Sequence, residues 1–170
     1  YDVWSDGPPD GNVSESAEYQ EGAGEILMAI DDGYAGALDP QTGHYTADSH
    51  PRVFLLCQLR SDGSLNVFAE HYAVKTLSDQ HIQTVLALPY PPPTYAAVDK
   101  SAAELKARLR TANMYIQNSP SNVEETIKET RRWIAPDANG VRRLKVHPRC
   151  KHFRYEMSAY RYGEHDEPIK

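Results

Sequence analysis

Two acidic residues that each follow a short apolar segment are the best candidates for chemistry in this sequence. Asp31 ends the apolar run 25–31 (EILMAID), and Asp99 comes directly after the segment 94–98 (TYAAV). If these segments form adjacent parallel strands, both carboxylates emerge at the sheet edge where α/β proteins bind ligands. Carboxylate oxygens suit Mg²⁺ or Mn²⁺, and two such ions about 4 Å apart can hydrolyse a phosphodiester. Asp31 and Asp99 are therefore the candidate metal ligands of a site that could carry out such chemistry.

Other acidic residues are weaker candidates, and each has an ordinary structural interpretation. Asp32 is a substitute for Asp31 as the ligand, although two aspartates before Gly33 are equally typical of a turn. Glu70, at the end of a predicted third strand, would reach the same sheet edge as Asp31. A solvent-exposed glutamate on an edge strand is nevertheless the more common case. Asp99 is also compatible with a polar residue that leads into a helix.

The spacing of the remaining reactive residues argues against several other kinds of site. Cys57 and Cys150 lie 93 positions apart without a CxxC partner, which fits a reducing intracellular compartment better than a disulfide or zinc framework. The histidines lack metal-binding spacing, and neither cysteine has a neighbouring histidine for thiol catalysis. The sequence contains neither GxGxxG nor GxxxxGK[ST], so we expect no glycine-rich nucleotide loop. No segment approaches eighteen consecutive apolar residues, so we expect no membrane span.

The segments that must position these residues follow a definite order. Three strands come first, the second and third joined by a tight turn at Ser61-Asp62-Gly63, and helices then alternate with short strands. This order predicts an α/β domain with the ribonuclease H-like fold: a mixed sheet of three antiparallel strands and then parallel strands, with helices on both faces. We predict strands at 25–31, 53–60, 65–72, 94–98, 114–116 and 141–146, and helices beginning near Ser78, Ser101, Ser121 and Pro148.

Charge is distributed unevenly along the 170 residues, whose formal net charge is −6. Residues 1–50 contain eleven acidic residues and no Lys or Arg, whereas residues 101–170 contain fourteen basic and nine acidic residues. The basic third could bind a polyanion, although ordinary solvated surface charge is the more common explanation. Residues 1–24 are rich in Gly, Pro, Ser and acidic residues, and we interpret them as a linker or arm outside the core of a domain formed by 25–170.

The sequence resembles the C-terminal nuclease domain of the large terminase subunit of tailed bacteriophages. The resemblance lies in MAIDDGYAGA, VFAEHY, TYAAVDKSAAEL, NSPSNVEETIKETRRWI and RLKVHPRCKHFRYEMSAYRY, which together span about 25–165. It implies cutting of concatemeric double-stranded DNA with Mg²⁺ or Mn²⁺ on a ribonuclease H-like fold. The family's ATPase domain precedes the nuclease domain, so 1–24 would be the linker from it. Portal protein and small terminase subunit would be the partners, at the procapsid portal in the host cytoplasm.

The resemblance also assigns residues position by position. Asp31, with Gly33 completing a D-x-G form, corresponds to the family's first-strand metal ligand, and Asp99 to the acidic residue after the fourth strand. The third acidic ligand of the family lies in a segment resembling Asp-His-x-x-Asp-Ala-Leu-Arg, which we expect beyond residue 170, so the site within this chain is predicted to be incomplete. Asp166 is a weak substitute for that ligand. Basic residues that could contact DNA phosphates without reading sequence are Arg142, Arg143, Lys145, Arg149 and Lys151.

Two alternatives to a terminase nuclease stay open at this point. One is another ribonuclease H-like nuclease, of the Holliday-junction resolvase type. The other is a non-catalytic module that uses the same fold to bind DNA or the portal, and the missing third acid favours it. Comparing cleavage of linear duplex DNA with cleavage of four-way junctions tests the first alternative. Reversing the charge of the basic residues while Asp31 and Asp99 are kept tests the second, because it separates DNA binding from cutting.

Overall fold

The order of strands and helices is the one that the sequence predicts. The computed structural model describes residues 4–7, 11–46, 48–120, 122–159, 161–162 and 168–169. Three strands come first, and helices then alternate with strands. The elements are β1 (Gly24–Asp31), β2 (Arg52–Arg60), β3 (Leu65–Ala73), α1 (Ser78–Leu86), β4 (Tyr95–Val98), α2 (Ala103–Thr111), β5 (Tyr115–Asn118), α3 (Val123–Ile134), β6 (Leu144–Val146) and α4 (Lys151–Ala159). A 3-10 turn (Glu15–Ala17) precedes β1, and a short ribbon of β7 (Arg161–Tyr162) and β8 (Pro168–Ile169) follows α4.

The six-stranded sheet has the spatial order β5-β4-β1-β2-β3-β6. Strands β1, β2 and β3 pair antiparallel, whereas the β1–β4, β4–β5 and β3–β6 pairs are parallel. Gly63, whose φ is 80°, permits the tight turn between β2 and β3 because glycine adopts positive φ without a steric penalty. The mixed sheet of the predicted ribonuclease H-like fold is therefore confirmed.

Each face of the sheet carries its own apolar core. Helices α1 and α2 cover one face, where Phe54 and Phe68 are buried with Leu105 and Leu109. Ile134 at the end of α3 and Met157 of α4 belong to the core on the other face. Strand alternation places successive side chains on opposite faces, so this arrangement decides which face each acidic residue can reach. No helix among the described residues is long and apolar enough to cross a membrane.

The described part of the N-terminal segment packs on the domain, so our interpretation of 1–24 as an arm outside the core is wrong there. Val13 forms a parallel bridge with Val146 at the edge of β6, and Asn12 and Ala17 are fully buried. The Trp4 ring packs edge-on against Phe153 of α4. The abundance of Gly, Ser and acidic residues indicated a linker. Composition alone does not reveal that a polar side chain such as Asn12 is buried and bonded to backbone groups of the core.

Replacing Asn12 with alanine should destabilise the domain by about 2–4 kcal/mol. The Asn12 amide nitrogen donates to the carbonyls of Ile134 (3.1 Å) and Leu144 (3.0 Å), and its oxygen accepts from the Ser5 backbone N–H (3.1 Å). The substitution removes the side-chain donor to the Leu144 carbonyl and the acceptor for the part-buried Ser5 N–H, while the Ile134 carbonyl keeps its hydrogen bond from Arg142. Urea unfolding measures the change, with exposed Gln83→Ala as the control. Equal stability of both variants would contradict the anchoring role of Asn12.

Buried His81, which pairs with half-buried His71, is expected to make stability depend on pH. His81 of α1 is 1 % exposed, its Nδ1 lies 3.0 Å from Nε2 of His71, and its ring stacks on Phe54. Burial lowers the pKa of His81 to about 4, and the nearby positive charges of His71 and Arg52 act in the same direction. The unfolded chain, with a histidine pKa near 6.5, therefore binds a proton first as pH falls.

We expect the free energy of unfolding to fall by about 1–2 kcal/mol between pH 7 and pH 5 because of His81 alone. The stabilising contribution is present above pH 6.5 and is lost as pH falls from about 6.5 towards 4. The variant His81→Gln should flatten this dependence, whereas the exposed-site control His50→Gln should retain it. Chemical unfolding at several pH values measures the slope, and an unchanged slope in His81→Gln would refute the assignment.

Candidate functional site

The two leading aspartates are neighbours at one edge of the sheet. Strands β1 and β4 are adjacent and parallel, with Ile30 paired to Val98. Asp31 directly follows Ile30, and Asp99 directly follows Val98. The structure therefore brings together the two residues that the sequence predicts to act together, at the carboxyl ends of two neighbouring strands.

The two carboxylates differ in their surroundings. Asp31 is exposed, and its carboxylate forms no hydrogen bond or ion pair with the part of the chain that the structure describes. One oxygen of Asp99, Oδ1, accepts from the Ser101 hydroxyl (2.5 Å) and the Ser101 backbone N–H (2.7 Å). These hydrogen bonds lower the pKa of Asp99, the hydroxyl most strongly. These bonds favour the ionised form of Asp99, and its Oδ2 accepts no hydrogen bond from the residues that the structure describes.

Asp32, the substitute candidate, is engaged on the opposite face of the sheet. Strand alternation places it on the side of Ile30, which packs in the α1–α2 core. Its Oδ1 accepts from Nε and Nη2 of Arg52, both at 2.7 Å. Asp32 therefore balances a buried guanidinium, and it does not share a face with Asp31.

Glu70 caps the first turn of α4. Its two carboxylate oxygens accept from the backbone N–H groups of His152 and Phe153, each at 2.9 Å. Burial raises the pKa of Glu70, and the hydrogen bonds from the α4 backbone oppose that effect. A carboxylate at a helix N-terminus is a common stabilising arrangement, so the structure gives Glu70 a role in holding α4.

Glu156 of α4 lies near Asp31, and our sequence analysis missed it. Its Oε2 accepts from the Tyr72 hydroxyl at 2.9 Å. Burial raises the pKa of Glu156 and the Tyr72 hydrogen bond opposes it, while the negative charges of Asp31 and Glu70 raise it further. The sequence feature that could have singled out Glu156 is its isolation, because it is one of only two acidic residues in the basic segment 131–161.

The predicted DNA-contacting residues divide into two groups. Arg142 donates to the carbonyl of Ile134 (2.8 Å), and Arg149 forms an ion pair with Glu18 and a hydrogen bond to Nδ1 of His147 (3.0 Å). Both guanidinium groups are therefore already bonded to other groups of the domain. The other three residues are Arg143, Lys145 and Lys151, and their side chains form no salt bridge within the described residues.

The sheet edge offers two carboxylates that suit a hard cation, but no third protein ligand among the described residues. Asp31 and Asp99 offer ionised oxygens, which Mg²⁺ and Mn²⁺ prefer. Across the described residues, however, no three His, Cys, Asp or Glu side chains lie close enough together to hold a metal ion. The weak candidate Asp166 lies outside the described residues, and the third ligand expected beyond residue 170 stays a prediction.

Comparison with known proteins identifies the fold. The sequence matches no protein-family model and no curated protein. The structure matches the large terminase of the thermophilic bacteriophage D6E with a TM-score of 0.74 and 17 % identity, over 100 % of this chain and 40 % of that one. The same D6E protein in complex with ADP gives a TM-score of 0.72 over 99 % of this chain.

A separate nuclease domain gives the more informative match. The P22 large terminase nuclease domain aligns with a TM-score of 0.66 and 16 % identity, over 92 % of this chain and 81 % of that domain. This chain therefore has the ribonuclease H-like fold of terminase nuclease domains. It spans about 40 % of the length of the D6E large terminase.

Proposed function

We propose that this chain is a metal-dependent endonuclease domain of a viral DNA-packaging terminase that cuts concatemeric double-stranded DNA. The observation that carries the proposal is the pair Asp31 and Asp99, side by side at the ends of adjacent parallel strands. The likeness to the P22 nuclease domain supports it. Endonuclease activity goes beyond that likeness, because at 16 % identity the match establishes the fold alone.

In this proposal Asp31 and Asp99 hold two Mg²⁺ or Mn²⁺ ions. Such ions supply a water nucleophile and stabilise charge on the phosphate. The residues of this chain orient that site: Ser101 holds Asp99 ionised by two hydrogen bonds, and the exposed Asp31 carboxylate is open to solvent and substrate. Arg143, Lys145 and Lys151 would contact DNA phosphates, which positions a duplex without reading its sequence.

The packaging context is part of the same proposal. The D6E structures are of a large terminase, and this chain covers 40 % of that chain. We propose portal protein and small terminase subunit as partners in a packaging motor, with action at the procapsid portal in the host cytoplasm.

One observation favours a second candidate function. The described residues contain no three-residue metal cluster, which agrees with a non-catalytic module that binds DNA or portal. In that case the basic residues would matter for binding, and Asp31 and Asp99 would not. Charge reversal of Arg143, Lys145 and Lys151, compared with Asp31→Asn, separates binding from cutting.

Plasmid cleavage tests the proposed function. The chain is incubated with supercoiled DNA and Mn²⁺, Mg²⁺ or EDTA, and a version extended by about twenty native residues beyond Lys170 is run beside it. Metal-dependent nicking or linearisation by either version supports the nuclease. Absence of cleavage by both versions would reject it and leave the binding module.

A further inference from the structure

A row of paired residues links the candidate site to α4. Val53 of β2 pairs with Asp31 of β1 on one side and with Tyr72 of β3 on the other. Directly opposed residues of antiparallel strands have their side chains on the same face. Tyr72 therefore shares a face with Asp31, and Asp99 continues the row at the end of β4. The Tyr72 hydroxyl donates to Glu156, which brings a third carboxylate to this face.

Strand β3 holds α4 at two points. Glu70 and Tyr72 are two residues apart on β3 and so lie on one face. Their partners His152 and Glu156 are four residues apart on α4 and so lie on one side of the helix. Glu70 binds the backbone at the start of α4, and Tyr72 binds the Glu156 side chain one turn later. The two contacts fix both the position and the rotation of the helix.

The loop before β2 adds a third support at Tyr72. The Tyr45 hydroxyl donates to the Tyr72 carbonyl at 3.0 Å, and the two rings are stacked with centroids 6.1 Å apart. The His152 ring lies 5.1 Å from the Tyr72 ring. Tyr72 is thus enclosed by a loop, a strand and a helix, which restricts where its hydroxyl can hold Glu156.

From this geometry we propose that Glu156 is an outer carboxylate of the Asp31–Asp99 site and that Tyr72 and Glu70 are positioning residues for it. The inference rests on the proposed function. With a cation bound at Asp31 and Asp99, Glu156 would accept hydrogen bonds from the water on that cation and would add negative charge beside Asp31 without ligating the ion itself. Mg²⁺ usually keeps several waters, and residues that contact a metal's ligands or waters typically change affinity or activity 10- to 100-fold. Glu70, one of the weaker ligand candidates in the sequence, acts instead by holding α4.

Manganese titration of the whole chain tests the proposal, followed by calorimetry or by the electron paramagnetic resonance signal of free Mn²⁺. Glu156→Gln retains an acceptor for Tyr72 but loses the charge, and we expect Mn²⁺ affinity to fall about tenfold. Tyr72→Phe keeps the ring and removes only the hydroxyl, so we expect a smaller loss of about threefold, below the range for a residue that contacts a metal's ligands or waters. Exposed Glu124→Gln is the matched control and should bind like the parent.

The double variant and the thermal midpoints separate positioning from a general structural effect. If Tyr72 acts through Glu156, Tyr72→Phe adds no further loss of affinity once Glu156→Gln is present. Additive losses, or a loss in Glu156→Gln that only follows a lowered thermal midpoint, would overturn the proposal. Unchanged Mn²⁺ affinity in Glu156→Gln would overturn it as well.

Asp31→Asn makes failure of the inference distinguishable from failure of the proposed function. If Asp31→Asn abolishes Mn²⁺ binding and Glu156→Gln does not affect it, the metal site stands and the role of Glu156 falls. If Asp31→Asn leaves binding unchanged, or if the parent binds no Mn²⁺, the metal site and the role of Glu156 fall together.

Discussion

Replacing Asp31 with asparagine should reduce Mn²⁺-dependent cleavage of duplex DNA by about 100- to 1,000-fold. Asparagine keeps the size and one oxygen of the side chain but removes the negative charge that holds the cation. Asp31 is exposed, and its carboxylate contributes no hydrogen bond to the fold within the described residues, so the variant should unfold at the same urea concentration as the parent. Single-turnover cleavage at saturating DNA measures the loss directly.

The neighbouring residue provides a matched control for this experiment. Asp32→Asn makes the same chemical change one position later, on the opposite face of the sheet. Because Asp32 pairs with buried Arg52, we expect lower stability but metal-dependent cleavage close to that of the parent at a temperature where both are folded. Loss of cleavage in Asp32→Asn with retention in Asp31→Asn would reverse the assignment.

The largest effect on stability is expected from Arg52→Met. The Arg52 side chain is 9 % exposed and forms an ion pair with Asp32, and its Nη1 donates to the Ser78 hydroxyl at 2.7 Å. Ser78 in turn donates to Glu104 of α2 at 2.5 Å. Removing the guanidinium leaves Asp32 partly buried without its partner, and breaking such a buried pair costs about 3–5 kcal/mol.

Urea unfolding measures this cost, with exposed Arg110→Met as the control. A double variant that also carries Asp32→Asn should recover part of the lost stability, because no unpaired charge then remains. A change below about 1 kcal/mol in Arg52→Met, the range of an exposed ion pair, would contradict the description of this network as buried and structural.

The order of the elements could be predicted because their signals are local. An apolar run such as 25–31 and a turn such as Ser61-Asp62-Gly63 identify a strand and a hairpin without knowledge of the rest of the chain. The juxtaposition of Asp31 and Asp99 was predicted only on the condition that their two strands are parallel neighbours. The predicted order of elements favours that pairing, and the structure has it.

Features that depend on side-chain partners could not be predicted in the same way. The sequence predicts a helix that begins near Ser101, but the Ser101 hydroxyl binds Asp99 and α2 begins at Ala103 with Ala102 at the N-cap. Asn12 looked like a linker residue because its partners are 122 and 132 positions away. Glu156 could not be placed beside Asp31 without the rotation of α4, which Glu70 and Tyr72 determine.

The central claim is that the ends of β1 and β4 together bind a divalent cation, and an anomalous difference map from crystals soaked in MnCl₂ tests it most directly. We predict a manganese peak in contact with the carboxylates of both Asp31 and Asp99, absent from crystals of Asp31→Asn. Manganese bound only elsewhere in the domain, or an empty edge at a saturating concentration of the ion, would contradict the claim.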